Sequence, residues 1–486
     1  MGRGPAAPAL GTEAFERSEK AGVESAGAAG AEPSPFAPRV PGGPEGALHD
    51  RRPPAGFVCK PIRKRRPPIT IKTLLNKIHP IKRFVYAKVF MQGEGEERRI
   101  VAEVKPRANS RPRCSCCGEP APGYDRMSKP RLFEFIPIFN IPVLLSYTMR
   151  RVECPDCGVK VEQIPWAEGK HACCNVFRHF LAGWARRLTW KETAECFGTS
   201  WDTVCRSVKW IVNYGLEHRD TEGVEALGVD EVAYRMGHTY MTLLYQIDSG
   251  SRRLLGVVAG RTKKSLESLF EEFGTEWCAG IKVVCSDMWR PYLDVVAEML
   301  PNCLNVLDRF HIVKKLSEAV DQVRREETAR LREEGYEPVL KNSRYCFLKR
   351  KSNLTRNQKR KLKDILRYNL KIVRAYLLKD SFDAFWEYNS PKWAEWFLKE
   401  WCAKAMRSRI EPMKKFVRTL RAHEELLMNY FKTGKVYSSG IVEGLNRKID
   451  LSIRKAYGYR SFELMKTSLF HTLGELPEPE FTHKFC

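Results

Sequence analysis

Three aspartates close apolar runs in this 486-residue sequence: Asp230 after Ala226-Leu-Gly-Val, Asp287 after Ile281-Lys-Val-Val-Cys-Ser, and Asp308 after Cys303-Leu-Asn-Val-Leu. An ionised carboxylate at the end of a buried strand is costly unless it is paired or bound to a metal. Carboxylates at the ends of neighbouring strands converge on one edge of a sheet, which is how an oxygen site for a divalent cation is built. The residues favour metal ligation for Asp230 and Asp287. For Asp308 a helix cap ahead of Phe310 and His311 is the stronger expectation, and on the plainer reading Glu231 points to solvent. A further carboxylate, Glu443, lies about one turn into an amphipathic stretch that starts at Ser438-Ser-Gly, on one stripe with Asn446, Arg447 and Asp450.

A second chemistry is written in the cysteines. Cys114 and Cys117 form one C-x-x-C and Cys154 and Cys157 another, each pair followed by glycine and the two separated by 36 residues. Four thiolates at tetrahedral corners suit a structural zinc, and the long gap suits a ribbon whose knuckles are joined by strands. Cys116 leaves the ligand choice on the first knuckle open. Cys173, Cys174, His171 and His179 have a spacing that fits packing better than ligation.

These groups need elements to position them. Alternation over Phe84 to Val104 and Leu132 to Val152 predicts strands around the cysteine pairs. Thr189-Trp-Lys-Glu192 is a capping box that opens a short helix, Gly198-Thr199-Ser200 breaks it, and a second helix starts at Trp201 with Arg206 and Lys209 off its apolar face. Two helices joined by a three-residue turn containing glycine have helix-turn-helix spacing. Strands follow at Ala226 to Tyr234, Thr239 to Ile247, Leu254 to Ala259, Ile281 to Ser286 and Cys303 to Leu307, with helices at Lys264 to Phe273 and Pro291 to Leu300. Three strands in a meander and then alternating helix and strand predict a mixed sheet with helices on its faces. Residues 309 to 435 have helical period only.

Composition narrows the partners. Lys and Arg number 83 against 58 Asp and Glu, a net charge of +25, yet residues 1 to 56 hold six of the cations and seven of the anions. That segment has ten Gly, nine Pro and twelve Ala, too little apolar surface to offset its ordering entropy, so it is expected to be disordered. The cations fall instead on the arm after Lys60, on Lys349 to Lys361, and on Arg447, Lys448, Arg454, Lys455 and Arg460, which would suit a phosphate backbone; Tyr457 and Tyr459 would stack on an exposed base. No run reaches the roughly 18 apolar residues of a membrane span, and no compact apolar secretory signal is seen. A cytoplasmic, nucleoid-associated protein with reduced cysteines is expected.

From about Thr70 to about Phe470 the chain resembles the transposases of the ISL-three family of bacterial insertion sequences. The resemblance rests on Cys114-x-x-Cys117-Gly, Arg150-Arg-Val-Glu-Cys154-x-x-Cys157-Gly, Pro165-Trp166, Gly228-Val-Asp230-Glu, Gly237-His238, Ser286-Asp287, Asp308-x-x-His311, Gly440-Ile-Val-Glu443-Gly-Leu-Asn446 and Arg454-Lys-Ala-Tyr-Gly-Tyr. It implies an RNase H-like α/β core with a DDE triad on Asp230, Asp287 and Glu443, two Mg²⁺ (or Mn²⁺) ions, and metal-dependent cleavage and strand transfer at transposon ends. It also implies that a zinc ribbon held by Zn²⁺ and a helix-turn-helix read the terminal repeats of double-stranded DNA. Trp201, Arg206, Lys209, Arg447, Lys448, Arg454, Lys455 and Arg460 are the expected DNA contacts, Asp308 and His311 support the active site, and synapsis calls for a homodimer or larger. The expected organisation is an extension (1–56), a basic arm with strands (57–110), a zinc ribbon (111–165), a helix-turn-helix (166–220), the core (221–310 and 436–474) split by a helical insertion (311–435), and a tail (475–486). The competing readings are a catalytically inactive DNA-binding regulator derived from a transposase and, behind it, a repair nuclease.

Overall fold

The computed structural model describes residues 70–480 except 236, 238, 337, 438 and 439. The Pro/Gly/Ala-rich extension, the arm cations from Lys60 to Arg66, and His238 and Ser438 of the motifs above lie outside the described residues.

The chain opens with helix α1 (Ile71–Ile78), capped by the Thr70 hydroxyl, and strands β1 (Phe84–Gln92) and β2 (Arg99–Pro106). Strands β3 (Gly123–Arg126), β4 (Arg131–Ile138), β5 (Ile141–Tyr147), β6 (Arg150–Cys154) and β7 (Gly158–Val161) follow. They sort into two sheets, β1-β2-β5-β4 and β3-β6-β7. The 36 residues between the cysteine pairs thus contribute the β4–β5 hairpin to the sheet of the preceding segment, with β2 and β5 parallel. The boundary expected at 110/111 is therefore crossed by sheet pairing. Trp166 anchors this layer, with Phe84, Tyr147 and Phe133 edge-on to it at 4.9, 5.3 and 5.9 Å. Buried Glu162 is satisfied by the Tyr147 hydroxyl and by Arg150 at 2.6 Å.

Helices α2 (Asn175–Ala185), α3 (Trp190–Cys196) and α4 (Trp201–Glu217) come next. Thr189 and Glu192 form the expected capping box and Ser200 caps α4. Val204, Val208, Ile211 and Val212 give α4 its buried stripe.

The largest sheet contains β8 (Ala226–Arg235), β9 (Thr239–Gln246), β10 (Arg253–Ala259), β11 (Val283–Ser286) and β12 (Leu304–Leu307) in the order β10-β9-β8-β11-β12. The first three are antiparallel, while β11 runs parallel to both β8 and β12. Helices α5 (Lys263–Phe273), α6 (Thr275–Ala279) and α7 (Arg290–Met299) contribute Leu266, Phe270, Cys278, Val295 and Val296 to a core with Leu227, Val229, Leu244 and Val284. Side chains alternate along a strand, so Gly228 and Asp230 face the other way from Leu227 and Val229, toward the layer that contains Tyr245 and Cys285.

Residues after β12 are helical: α8 (Arg309–Glu333), α9 (Arg344–Leu348), α10 (Arg356–Ile365), α11 (Lys371–Phe382), α12 (Pro391–Arg407), α13 (Glu411–Ala422) and α14 (Glu424–Lys432). Glu327 of α8, 3% exposed, accepts from the Lys371 and Ile372 amides and so caps α11, whose own N-cap side chain is Leu370. On α14, Asn429 donates to the Asn305 carbonyl and covers the β12 edge. Helices α15 (Gly440–Lys455) and α16 (Phe462–Leu473) complete the fold. Among the described residues no helix is long and apolar enough to cross a membrane.

The segment after α16 returns across α2 and α4. Leu476 lies where a Cβ on Gly215 would stand, and Glu478 pairs with His179 at 2.7 Å and Arg186 at 2.5 Å. The hydrogen bond from His179, ahead of the Arg186 charge, pulls the Glu478 carboxyl down to about 2 from its ordinary 4.5. A depressed carboxyl adds stability above its unfolded pKa and loses it as pH falls toward the folded one. Glu478→Gln is therefore expected to lower the thermal midpoint at neutral pH, with the deficit shrinking below pH 4.5 and gone near pH 2. Melts of both proteins across that range check it, and a deficit independent of pH would contradict it.

Candidate active site and zinc centre

The sulfurs of Cys114, Cys117, Cys154 and Cys157 all lie within 4.8 Å of one another, and Cys117 and Cys154 are 3.6 Å apart. A tetrahedron with Zn–S bonds of about 2.3 Å has edges of about 3.8 Å, so this set fits one zinc. Each knuckle turns through a glycine in the left-handed region, Gly118 at φ 76° and Gly158 at φ 70°, which side-chain-bearing residues rarely adopt. The amides of Cys117 and Cys116 point at the Cys114 sulfur and bring its thiol down to about 7, toward the thiolate a metal requires. The four-residue set leaves out Cys116, which is exposed. Cys173 and Cys174 are buried in the hydrophobic core, and His179 is held by Glu478.

The carboxylates gather along one side of this sheet: Asp230 in the middle of β8, just past its pairing with β11, and Asp287 and Asp308 directly after β11 and β12. Asp230 is held at both oxygens: the Glu231 amide donates to Oδ1 at 2.8 Å and Asn446 Nδ2 to Oδ2 at 2.6 Å. Tyr245 in turn donates its hydroxyl to Asn446 Oδ1 at 2.6 Å, which fixes which end of the amide faces Asp230. Burial raises the Asp230 pKa against these bonds and the nearby His311 charge. Asp287 accepts from the Trp289 amide at 2.8 Å. Asp308 does cap α8, accepting from the Phe310 amide at 2.6 Å, and its second oxygen meets His311 Nδ1 at 2.9 Å. That bond raises the His311 pKa, and the charges of Asp230 and Asp287 add to it.

Glu231 departs from the solvent-facing reading. Its Oε2 is buried without a hydrogen-bond partner, and burial, with Asp287 and Asp230 nearby, pushes its carboxyl up to about 7. Glu443 stands on the first turn of α15, paired with Arg447 at 2.6 Å. Among the described residues only the four cysteines form a group of three or more His, Cys, Asp or Glu with all ligand atoms within 4.8 Å; Asp230, Asp287 and Glu443 do not close to that spacing.

Helix α15 reaches this site because β8 carries no side chain at Gly228, beneath Val442. A Cβ on Gly228 would stand 2.5 Å from Val442 Cγ2. Sequence reasoning placed Asn446 on the Glu443 stripe but missed its bond to Asp230, and missed Tyr245 altogether. Tyr245 sits inside an apolar strand, and only its pairing opposite Gly228 marks it.

The expected DNA contacts fall on two surfaces. Trp201, Lys448, Lys455 and Arg460 line a groove of about 850 Å³ between α3 and the α15–α16 turn. Arg206 and Lys209 line a separate hollow with Trp210 and His171. Arg206 is paired with Asp202 at 2.7 Å. Arg447 is committed to Glu443, and Arg454 is exposed in the last turn of α15. Tyr459 is not free to stack, since its hydroxyl donates to Ser468 at 2.9 Å and its ring is half-buried.

Residues 227–469, half of the chain, match the transposase family model of the ISL3 DDE type. The chain belongs to this transposase family. Residues 110–157 match the zinc finger of the transposases of IS204, IS1001, IS1096 and IS1165. The transposase is 28% identical over 331 residues to the transposase for insertion sequence element IS1001 of Bordetella parapertussis, covering 68% of this chain and 80% of that one. It is 29% identical over 396 residues to the transposase for IS1557 of Mycobacterium tuberculosis, covering 76% and 87%. The regulator reading is not favoured. The transposase processes and binds DNA, and its zinc finger is built for one structural zinc.

Metal analysis of the purified transposase is expected to find one zinc per chain. Cys154→Ser should abolish it and lower the thermal midpoint, because a structural zinc contributes folding free energy directly. Full zinc content in that variant would contradict the four-cysteine site.

Proposed function

We propose that this transposase cleaves the ends of an insertion sequence and joins them to target DNA at a site made by Asp230, Asp287 and Glu443. The single observation that carries the reading is the convergence of β8, β11 and α15: Asp230 lies on β8 just past its parallel pairing with β11, Asp287 directly follows β11, and Asn446, one turn from Glu443, grips Asp230 at 2.6 Å. The strand order β10-β9-β8-β11-β12, with its antiparallel meander and two parallel additions, supports an RNase H-like core. The helices between β12 and α15 are then an insertion within it.

The donor set suits hard divalent cations. The oxygens are carboxylates, Glu231 Oε2 is buried without a partner, and burial, with neighbouring carboxylates adding to it, raises the Glu231 and Asp230 carboxyls. Asp230, Asp287 and Glu443 would hold two Mg²⁺ or Mn²⁺ ions. When bound, such a pair activates a water and then a 3′-hydroxyl and neutralises the leaving oxygen of an in-line displacement. The chain's own part is placement. Asn446, locked by Tyr245, presents Asp230 in one orientation; Asp308 fixes the His311 ring beside it; and Glu443 must leave Arg447 to join the set, which frees that guanidinium for a phosphate.

In the same reading the zinc ribbon and the α3–α4 hairpin recognise the terminal repeats, Trp201, Arg206, Lys209, Arg447, Lys448, Arg454, Lys455 and Arg460 contact the backbone, and two or more copies pair the ends. Cleavage of a duplex bearing the element's end, with Mg²⁺, tests it. Asp230→Ala, Asp287→Ala and Glu443→Ala should each lose at least about two orders of magnitude in rate. Asn446→Ala should lose about ten- to a hundredfold, as expected for a group that orients a ligand. Undiminished cleavage by any of the three Ala variants at the acidic positions would rule out that triad.

A further inference from the structure

The groove between α3 and the α15–α16 turn carries features that backbone contacts alone do not use. Tyr457 is 94% exposed although it is aromatic, and its φ of 52° lies in the left-handed region, followed by Gly458 at 103°. Side-chain-bearing residues rarely adopt that conformation, and here it holds a ring out of the protein. Leu451, one and a half turns earlier on α15, is 65% exposed beside it. Across the groove Trp201 lies 5.8 Å from Trp190, and the Arg460 guanidinium covers its ring at 4.9 Å. The rim is cationic: Lys191, Lys448, Lys455 and Arg460 stand against Glu192 and Glu195.

A cavity of about 850 Å³ with an exposed ring, an aliphatic neighbour and a cationic rim fits a planar, apolar-faced group on an anionic chain. Aromatic rings inside a positive groove are the means by which proteins hold unpaired bases, since every base has a π-face to stack. The position also agrees: Ser452, a groove residue, lies nine residues beyond Glu443 on the same helix, about 13 Å, or about four base-pair steps of one strand.

We propose that this groove holds an unpaired nucleobase of the DNA end bound at the carboxylate site, stacked on Tyr457. This rests on the reading that DNA lies along α15. The order of recognition then differs from simple duplex binding: a strand whose base is already unpaired is preferred, because the unstacking cost is removed.

The test uses the full-length protein and two end-containing duplexes at physiological salt, one fully paired and one with a single unpaired 2-aminopurine about four positions from the cleavage point. Anisotropy titrations are expected to show about tenfold tighter binding of the unpaired duplex. Its 2-aminopurine fluorescence should be quenched on binding. In Tyr457→Ala the preference should fall to about twofold or less, while Tyr457→Phe, which keeps the ring, should retain it. Equal affinity for the two duplexes in the wild-type protein, or an undiminished preference in Tyr457→Ala, would overturn the proposal. So would a Tyr457→Ala protein whose only change is a smaller oligomer, which would make the groove a seat for a second copy. Failure to bind either duplex would instead overturn the underlying reading of DNA along α15.

Discussion

The close approach of α15 to β8 is the constraint on which the carboxylate site depends. Gly228 removes the one Cβ that would stand 2.5 Å from Val442, so the helix lies directly on the strand that carries Asp230. Only at that distance can Asn446 reach Asp230 Oδ2 and accept from Tyr245. The strand and the helix come from positions more than 200 residues apart, and the long helical excursion between them is compatible with this contact because α14 is pinned to β12 through Asn429 and Asn305.

Charge is distributed to serve that contact. The chain carries a net +25, yet the sheet end is locally acidic: Asp230, Glu231, Asp287 and Asp308 share it with His311. Burial raises the Asp230 and Glu231 carboxyls, neighbouring carboxylates add to it, and a bound cation would relieve both effects. Glu443 answers the same demand differently, by holding Arg447 on its own helix. The basic residues beyond it on α15 lead away from the acidic centre toward the groove, so one helix joins a site for cations to a surface for an anionic chain.

Much of this was readable from residue order. The strands and helices between Ala226 and Leu307 follow from apolar runs broken by turns, the capping box at Thr189 is a local signal, and four cysteines with trailing glycines announce their own geometry. What was not readable depends on long-range pairing. Local period cannot say that β5 pairs with β2 across the zinc knuckle, that Glu231 turns inward, or that Glu478 folds back onto His179 and Arg186. Gly228 shows the limit well: its motif marks the position, but the reason for a glycine is a valine 214 residues later.

The most direct measurement is a double-mutant cycle on end cleavage with Gly228→Ala and Val442→Ala. Overpacking by one methyl in a filled contact costs about 1 to 3 kcal/mol, so Gly228→Ala alone should displace α15 and lower the cleavage rate about tenfold or more. Val442→Ala vacates the colliding atom, and the double variant should recover most of that loss. If Gly228→Ala cleaves at the wild-type rate, or if Val442→Ala gives no rescue, the docking of α15 on β8 does not set the active site.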